Sequence, residues 1–142
     1  MRGFDTNILV RYLVKDDPGQ AAIVDRLIAE TVAEDGAIFL NTIVLCETVW
    51  VLGTGYDYST GEIADAIEKL LLTQQFAFEE RENVWQALKR FREGKADFAD
   101  YLIAEKNLSN GCDRTSTFDR ALKDEDGFEF LTAPPSSLSG SM

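Results

Sequence analysis

A mainly parallel α/β fold, with helices on both faces of a short central sheet, is what this sequence predicts. Three observations predict it. Short apolar runs recur along the chain, and polar turn or helix-capping residues follow them. Stretches with apolar residues at helical spacing come after those junctions. The resulting order is strand, helix, strand, helices, strand, helices, strand, the alternation that builds parallel sheets.

In order, a short apolar start runs into Asp5, with Thr6 and Asn7 behind it and then Ile8-Leu9-Val10. This reads as a strand ending at Asp5 and a helix opening just after. Asp16-Asp17-Pro18-Gly19 is a turn with proline near the first helical position. Ile23, Val24, Leu27, Ile28 and Val32 carry that helix to about Glu34, and Asp35-Gly36 stops it. Ala37-Ile38-Phe39-Leu40 is a strand candidate, and Thr42 is the expected cap of the helix holding Ile43, Val44, Cys46, Glu47, Val49, Trp50 and Leu52. Ser59 or Thr60 caps the next helix, whose core face is Ile63, Ile67, Leu70 and Leu71. Phe76-Ala77-Phe78 is a third strand candidate. Residues 80–93 form an amphipathic helix with Val84, Trp85, Leu88 and Phe91 inward, and a further helix opens near Asp97 and ends at Asn110-Gly111. Residues 112–117 and 128–131 are the remaining strand candidates. Residues 1–132 are expected to be one domain and residues 133–142, rich in Pro, Ser and Gly, a flexible tail.

The 142 residues are 45% hydrophobic, enough for one domain with a buried core. The net charge of −11 argues against a passive nucleic-acid binder that works through a broad basic surface. It leaves room for a nuclease whose metal brings positive charge to a phosphate, and for a basic partner. The chain has no histidine, which removes His-based acid–base catalysis, His triads and His-ligated zinc. Cys46 and Cys112 have no CxxC spacing and read as small buried hydrophobes in a reducing cytoplasm. No apolar run is long enough to span a bilayer, and nothing resembles a signal peptide.

With 25 acids in the chain, only those with a positional rationale carry weight. Asp5 sits where open α/β folds bind ligands, at the C-terminal end of a strand, although a capping role alone also explains it. Glu47 lies in a helix that is apolar nearly all round, so it reads as buried, either paired with an arginine or near a metal. Asp97 and Asp100, at i and i+3, share one face of a helix start, where one of them can serve only as a cap. Asp119 follows Thr115-Ser116-Thr117-Phe118 at another strand end. Oxygen ligands without His or Cys suit Mg²⁺ or Mn²⁺, which can activate water and stabilise in-line displacement at phosphorus. Hydroxyls of Thr6, Thr115 or Thr117 are placed to hold waters or a phosphate oxygen.

These pieces together resemble the PIN-domain family, in particular the VapC-type toxin ribonucleases of bacterial toxin–antitoxin pairs. The matching segments are residues 5–13 (Asp-Thr-Asn-Ile-Leu-Val-Arg-Tyr-Leu), residues 45–52 around Glu47, residues 97–104 around Asp100, and Thr117-Phe118-Asp119. They come in the family's order and cover roughly residues 1–132. The resemblance implies a PIN-like three-layer α/β/α architecture with a short, mainly parallel sheet. It implies a metal-dependent endoribonuclease, with Asp5, Glu47, Asp100 and Asp119 as the catalytic and metal-site acids and Asp97 as a frequent extra acid. Asp5 and Asp100 would bind Mg²⁺ directly, Glu47 would bind it or position water, and Asp119 would complete the cluster. Thr6, Asn7, Thr117 and Arg11 would support that site or bind phosphate, with Lys15, Arg114 and Arg120 as further phosphate contacts. It also implies a homodimer and an antitoxin that places a basic segment near the acids.

A haloacid-dehalogenase-like phosphatase needs a second Asp where Asn7 stands, and a receiver domain needs an acidic pair and a late lysine that are missing. A PIN-like binding or scaffold module without catalysis is the remaining alternative. Trp50, Trp85 and Phe91 can stack on bases, but their helical spacing favours core packing.

Overall fold

The computed structural model describes residues 1–132; the expected tail lies outside the described residues. The fold is α/β, a parallel sheet flanked by helices. β1 (Arg2–Gly3), β2 (Ile38–Leu40) and β3 (Phe76–Phe78) form one sheet in that order, with Arg2 opposite Ile38 and Ile38 opposite Phe76. β4 (Thr115–Thr117) and β5 (Phe128–Phe130) pair in parallel as a second, two-stranded sheet. The helices are α1 (Thr6–Val14), α2 (Pro18–Ala33), α3 (Thr42–Gly55), α4 (Thr60–Leu72), α5 (Arg81–Glu93) and α6 (Phe98–Ser109). A 3₁₀ turn spans Arg120–Leu122. Among the described residues no helix is long and apolar enough to cross a membrane.

Four of the helices, α1 to α4, start where a short polar side chain satisfies a free backbone donor. Asp5 accepts from the Ile8 N–H at 3.0 Å, Asp17 from Gln20 at 3.1 Å and Asn41 from Val44 at 2.9 Å. Asn41, not Thr42, is therefore the cap of α3. Ser59 and Glu62 form a reciprocal capping box on α4, which sets the Glu62 carboxyl below its ordinary range through the Ser59 N–H.

The core joins both faces of the sheet through Leu9, Ile38, Leu40, Leu45, Leu52, Ile67, Leu70, Leu88 and Phe98. Phe4 and Tyr12 meet Phe76 edge-on, with centroids 6.3 and 5.3 Å apart. Several residues expected inside are not. Trp50 and Ile43 of α3 are exposed, as are Ile23 and Val32 of α2. An all-apolar helix gives no period from which to pick the outward face. Cys112, expected to be buried, is exposed in the loop after α6. Cys46 is half-buried, and that burial pushes its thiol up, away from reactivity.

α5 and α6 pack closely against each other and against the segment after β4. Tyr101 is fully buried; its hydroxyl donates to Glu125 at 2.7 Å and accepts from the Ala96 N–H at 3.2 Å. The Arg90 guanidinium lies over the Tyr101 and Phe128 rings, pairs with Glu105 at 3.4 Å and reaches the Asp126 carbonyl. A Cβ on Gly94 would overlap the Tyr101 hydroxyl. Gly94→Ala should therefore lower unfolding free energy by roughly 1–3 kcal/mol in urea titration. An unchanged midpoint would show that Tyr101 can leave its two partners freely.

Candidate active site

The first strand delivers Asp5 to the sheet edge, and α1 begins on it. One carboxylate oxygen caps the helix; the other accepts no hydrogen bond among the described residues. The next residue, Thr6, donates from its hydroxyl to Glu47 Oε1 at 2.6 Å, across 41 residues of chain. This bond ties α1 to α3 and sets Glu47 beside the Asp5 junction. Glu47 itself is exposed, on the same outward strip of α3 as Ile43 and Trp50. The expectation of a buried charge on α3 is thus corrected: the helix turns one apolar-and-acid face to solvent.

A second group of acids forms where α6 starts. Asp100 Oδ2 accepts from the Asp97 N–H at 3.2 Å. Burial pushes the Asp100 carboxyl above the ordinary aspartate range; that N–H opposes the shift, and the like charges of Asp97 and Asp119 reinforce it. Asp119, after β4, accepts from the Ala121 N–H at 2.9 Å, while its own N–H donates to the Thr117 hydroxyl at 3.0 Å. Thr117 therefore positions Asp119. Thr115 accepts from the Asn107 side chain at 2.9 Å and fastens β4 to α6.

None of Asp5, Glu47, Asp97, Asp100 and Asp119 lies in an ion pair among the described residues. Nor, among the described residues, are any three acids or cysteines arranged closely enough to hold a metal ion. The structure thus brings Asp97, Asp100 and Asp119 within electrostatic reach and Glu47 to Thr6, with Asp5, Asp100 and Asp119 each committing an oxygen to a backbone N–H. In kind the donors fit a hard divalent cation. They are all carboxylate oxygens, they lack cationic partners, and Asp100 bears a like-charge cost that a cation would remove.

The expected phosphate contacts divide. Arg11 donates to Gln20 at 2.7 Å, Asp16 at 3.1 Å and Tyr56 at 2.9 Å, so it braces α1 against the loop before α2 and the end of α3. Asn7 lines a hollow of about 370 Å³ with Arg11 and Gln20, on that α1–α2 side. Lys15 pairs with Asp25 at 3.2 Å. Arg114 and Arg120, flanking β4 and Asp119, are exposed, and neither forms an ion pair among the described residues.

One cluster was missed from sequence. Glu79, at the end of β3, accepts from both the Thr42 N–H at 2.9 Å and the Thr42 hydroxyl at 3.2 Å, and the N–H above all holds its carboxyl low. Lys106 of α6 reaches Glu80, Glu79 and Thr42. The signal was present: Glu79-Glu80 follow a strand candidate just as Asp5 does.

The sequence profile of the PIN domain matches residues 4–127. A protein named VapC ribonuclease from Aquifex aeolicus (strain VF5) is 23% identical over 123 residues, covering 87% of this chain and 90% of that protein.

Asp100→Asn should raise the melting temperature of the metal-free protein near neutral pH, since the side-chain oxygen can still accept from Asp97 while the charge is gone. The folded-state pKa of Asp100 lies above the unfolded one. Its destabilising effect is therefore full above the folded value, shrinks as pH falls through it and is gone below the unfolded value. Thermal melts in chelator should show the difference at about pH 7 and lose it at about pH 3. A destabilised variant at neutral pH would mean that the Asp100 charge is already balanced.

Proposed function

The chain belongs to the PIN-domain family, and we propose that it is a divalent-metal-dependent endoribonuclease of the VapC toxin type. PIN-domain nucleases typically use a divalent metal. The observation that carries the reading is the set of unpaired acids at the ends of β1 and β4, on α3 and at the start of α6, with Asp100 raised by burial and further by the charges of Asp97 and Asp119. The distant likeness to the Aquifex aeolicus protein supports the toxin-type assignment.

In this reading Asp5 and Asp100 hold Mg²⁺ or Mn²⁺ directly, and Asp119 completes the acid set with Thr117 fixing its backbone. Such a cation supplies Lewis-acid polarisation of a phosphate oxygen and of water. Glu47, held by Thr6, either joins the ligands or orients the attacking water and accepts its proton. Water adds at phosphorus and the bond to the 3′ oxygen breaks, leaving a 5′-phosphate and a 3′-hydroxyl. Arg114 and Arg120, exposed beside β4 and Asp119 and in no ion pair among the described residues, would meet the RNA backbone. Partners are the RNA substrate, a cognate antitoxin whose basic segment answers the net charge of −11, and a second copy in a homodimer; the setting is the cytoplasm. Residues 1–132 are the PIN domain and 133–142 its tail.

A second reading is favoured by one observation, that no three acids converge among the described residues. In it the chain is a PIN-like binding module without catalysis.

The two separate cleanly. With a mixed RNA pool, the native chain should cleave with Mg²⁺ or Mn²⁺ and stop in chelator, while Asp5→Asn stays inactive. Millimolar metal should also raise the native chain's melting temperature, because only the folded state gathers the acids. Absence of both effects would leave the binding module. Asp97→Asn should impair cleavage less than Asp100→Asn, and the opposite order would exchange their roles.

A further inference from the structure

The chain has nine phenylalanines, two tryptophans and four tyrosines, all among the described residues, and only Trp50 and Phe118 are exposed, at 68% and 72%. Both stand beside acids of the candidate site. Phe118 immediately precedes Asp119. Trp50 lies one turn beyond Glu47 on the outward strip of α3, and it lines a groove of about 320 Å³ together with Asp97. Single exposed aliphatic side chains are ordinary surface features. Two large rings kept in water, one a turn from Glu47 and one next to Asp119, while every other aromatic is at least partly buried, are not.

The groove beside Trp50 is apolar along Val49 and Ile63, and its rim carries the Thr54, Tyr58 and Thr60 hydroxyls. The Thr54 hydroxyl donates to the Trp50 carbonyl at 2.7 Å, which fixes the last turns of α3 under the ring. The acids beside these rings repel a phosphate backbone, so next to what Arg114, Arg120 and a bound cation contribute, RNA offers a part that this charge does not repel. That part is the base, whose π face stacks on aromatic side chains whatever its identity.

We infer that Trp50 and Phe118 are stacking platforms for unpaired RNA bases next to the phosphate presented to the acids. The inference rests on the nuclease reading and adds to it the residues that seat the strand. Stacking on a protein ring requires a base that is out of a duplex. Loops and single strands are therefore the substrates these rings select.

The test compares cleavage of a single-stranded RNA pool by the native chain, Asp5→Asn, Trp50→Ala, Trp50→Phe, Phe118→Ala and Phe118→Tyr. Leu72→Ala serves as an exposed apolar control. RNA binding in chelator is followed by tryptophan fluorescence in a Trp85→Phe background, where Trp50 alone reports. Each alanine variant should lose about five- to a hundred-fold in kcat/KM, with the aromatic replacements within about threefold of native. RNA should quench Trp50, and the same RNA annealed to its complement should not. Metal-dependent cleavage that both alanine variants retain in full would overturn the stacking inference and leave the nuclease reading standing. If the native chain neither cleaves nor gains stability from metal, the nuclease reading falls; whenever cleavage is absent fluorescence decides, quenching by single strands upholding the platforms and its absence overturning them. A dimer that Trp50→Ala dissociates in sedimentation, with RNA binding unaltered, would show that a second copy covers this face and would overturn the role of Trp50.

Discussion

Parallel strands within one sheet end at the same edge, and each must hand the chain on to a helix whose first N–H groups have no partner within it. Short polar side chains meet that need. Asp5, Asn41 and Asp119 follow β1, β2 and β4, and each accepts a hydrogen bond from the turn it opens. Glu79 does the same for the start of α3 from the neighbouring strand. The local demand for caps thus deposits carboxylates where strands end, before any chemistry is considered. Their accumulation there is unfavourable: the charges of Asp97 and Asp119 add to the burial that raises the Asp100 carboxyl.

What keeps the acids of α6 near Asp119 is a set of contacts behind them. The Tyr101 hydroxyl joins the backbone of Ala96, just before Asp97, to Glu125, in the segment that follows Asp119. Arg90 supports the Tyr101 ring from α5 and reaches the same segment through the Asp126 carbonyl. Leu122, buried in the 3₁₀ turn, anchors the chain between. The like-charged residues are therefore positioned by a neighbouring hydrogen-bonded and aromatic cluster, not by attraction among themselves. On the other side, the short bond from Thr6 to Glu47 does comparable work for α1 and α3.

Much of this was legible in the sequence because its signals are local. Pro18 after Asp17, Ser59 three residues before Glu62, and Asn110-Gly111 after a helical run each mark a boundary by backbone chemistry. Asp5, Asp97, Asp100 and Asp119 stood out for the same reason. Glu47 was read as buried and is exposed, since α3 is apolar on nearly every side and periodicity cannot say which strip faces water; Trp50 was assigned inward on the same ground. Asn41 and Thr42 are both capping types, so only geometry chooses between them. Arg11 and Lys106 were beyond reach for a different cause. Their partners come from distant elements, and no spacing encodes that Arg11 meets Tyr56 or Lys106 meets Glu80.

The brevity of the strands has a kinetic meaning. With two or three residues each, β1, β2 and β3 close few backbone bonds per long loop, so the entropy of bringing them together is poorly repaid until helices already cover them. The α5–α6 hairpin, by contrast, joins neighbouring segments and closes a short loop. The contacts between α5 and α6 are therefore among those that cost least in loop entropy. On this topology, docking of the first strand, which carries Asp5 to its place, is expected to follow them. A growing polypeptide also presents Asp5, Thr6 and Glu47 long before Asp97, Asp100 and Asp119, which lie in the last third of the domain.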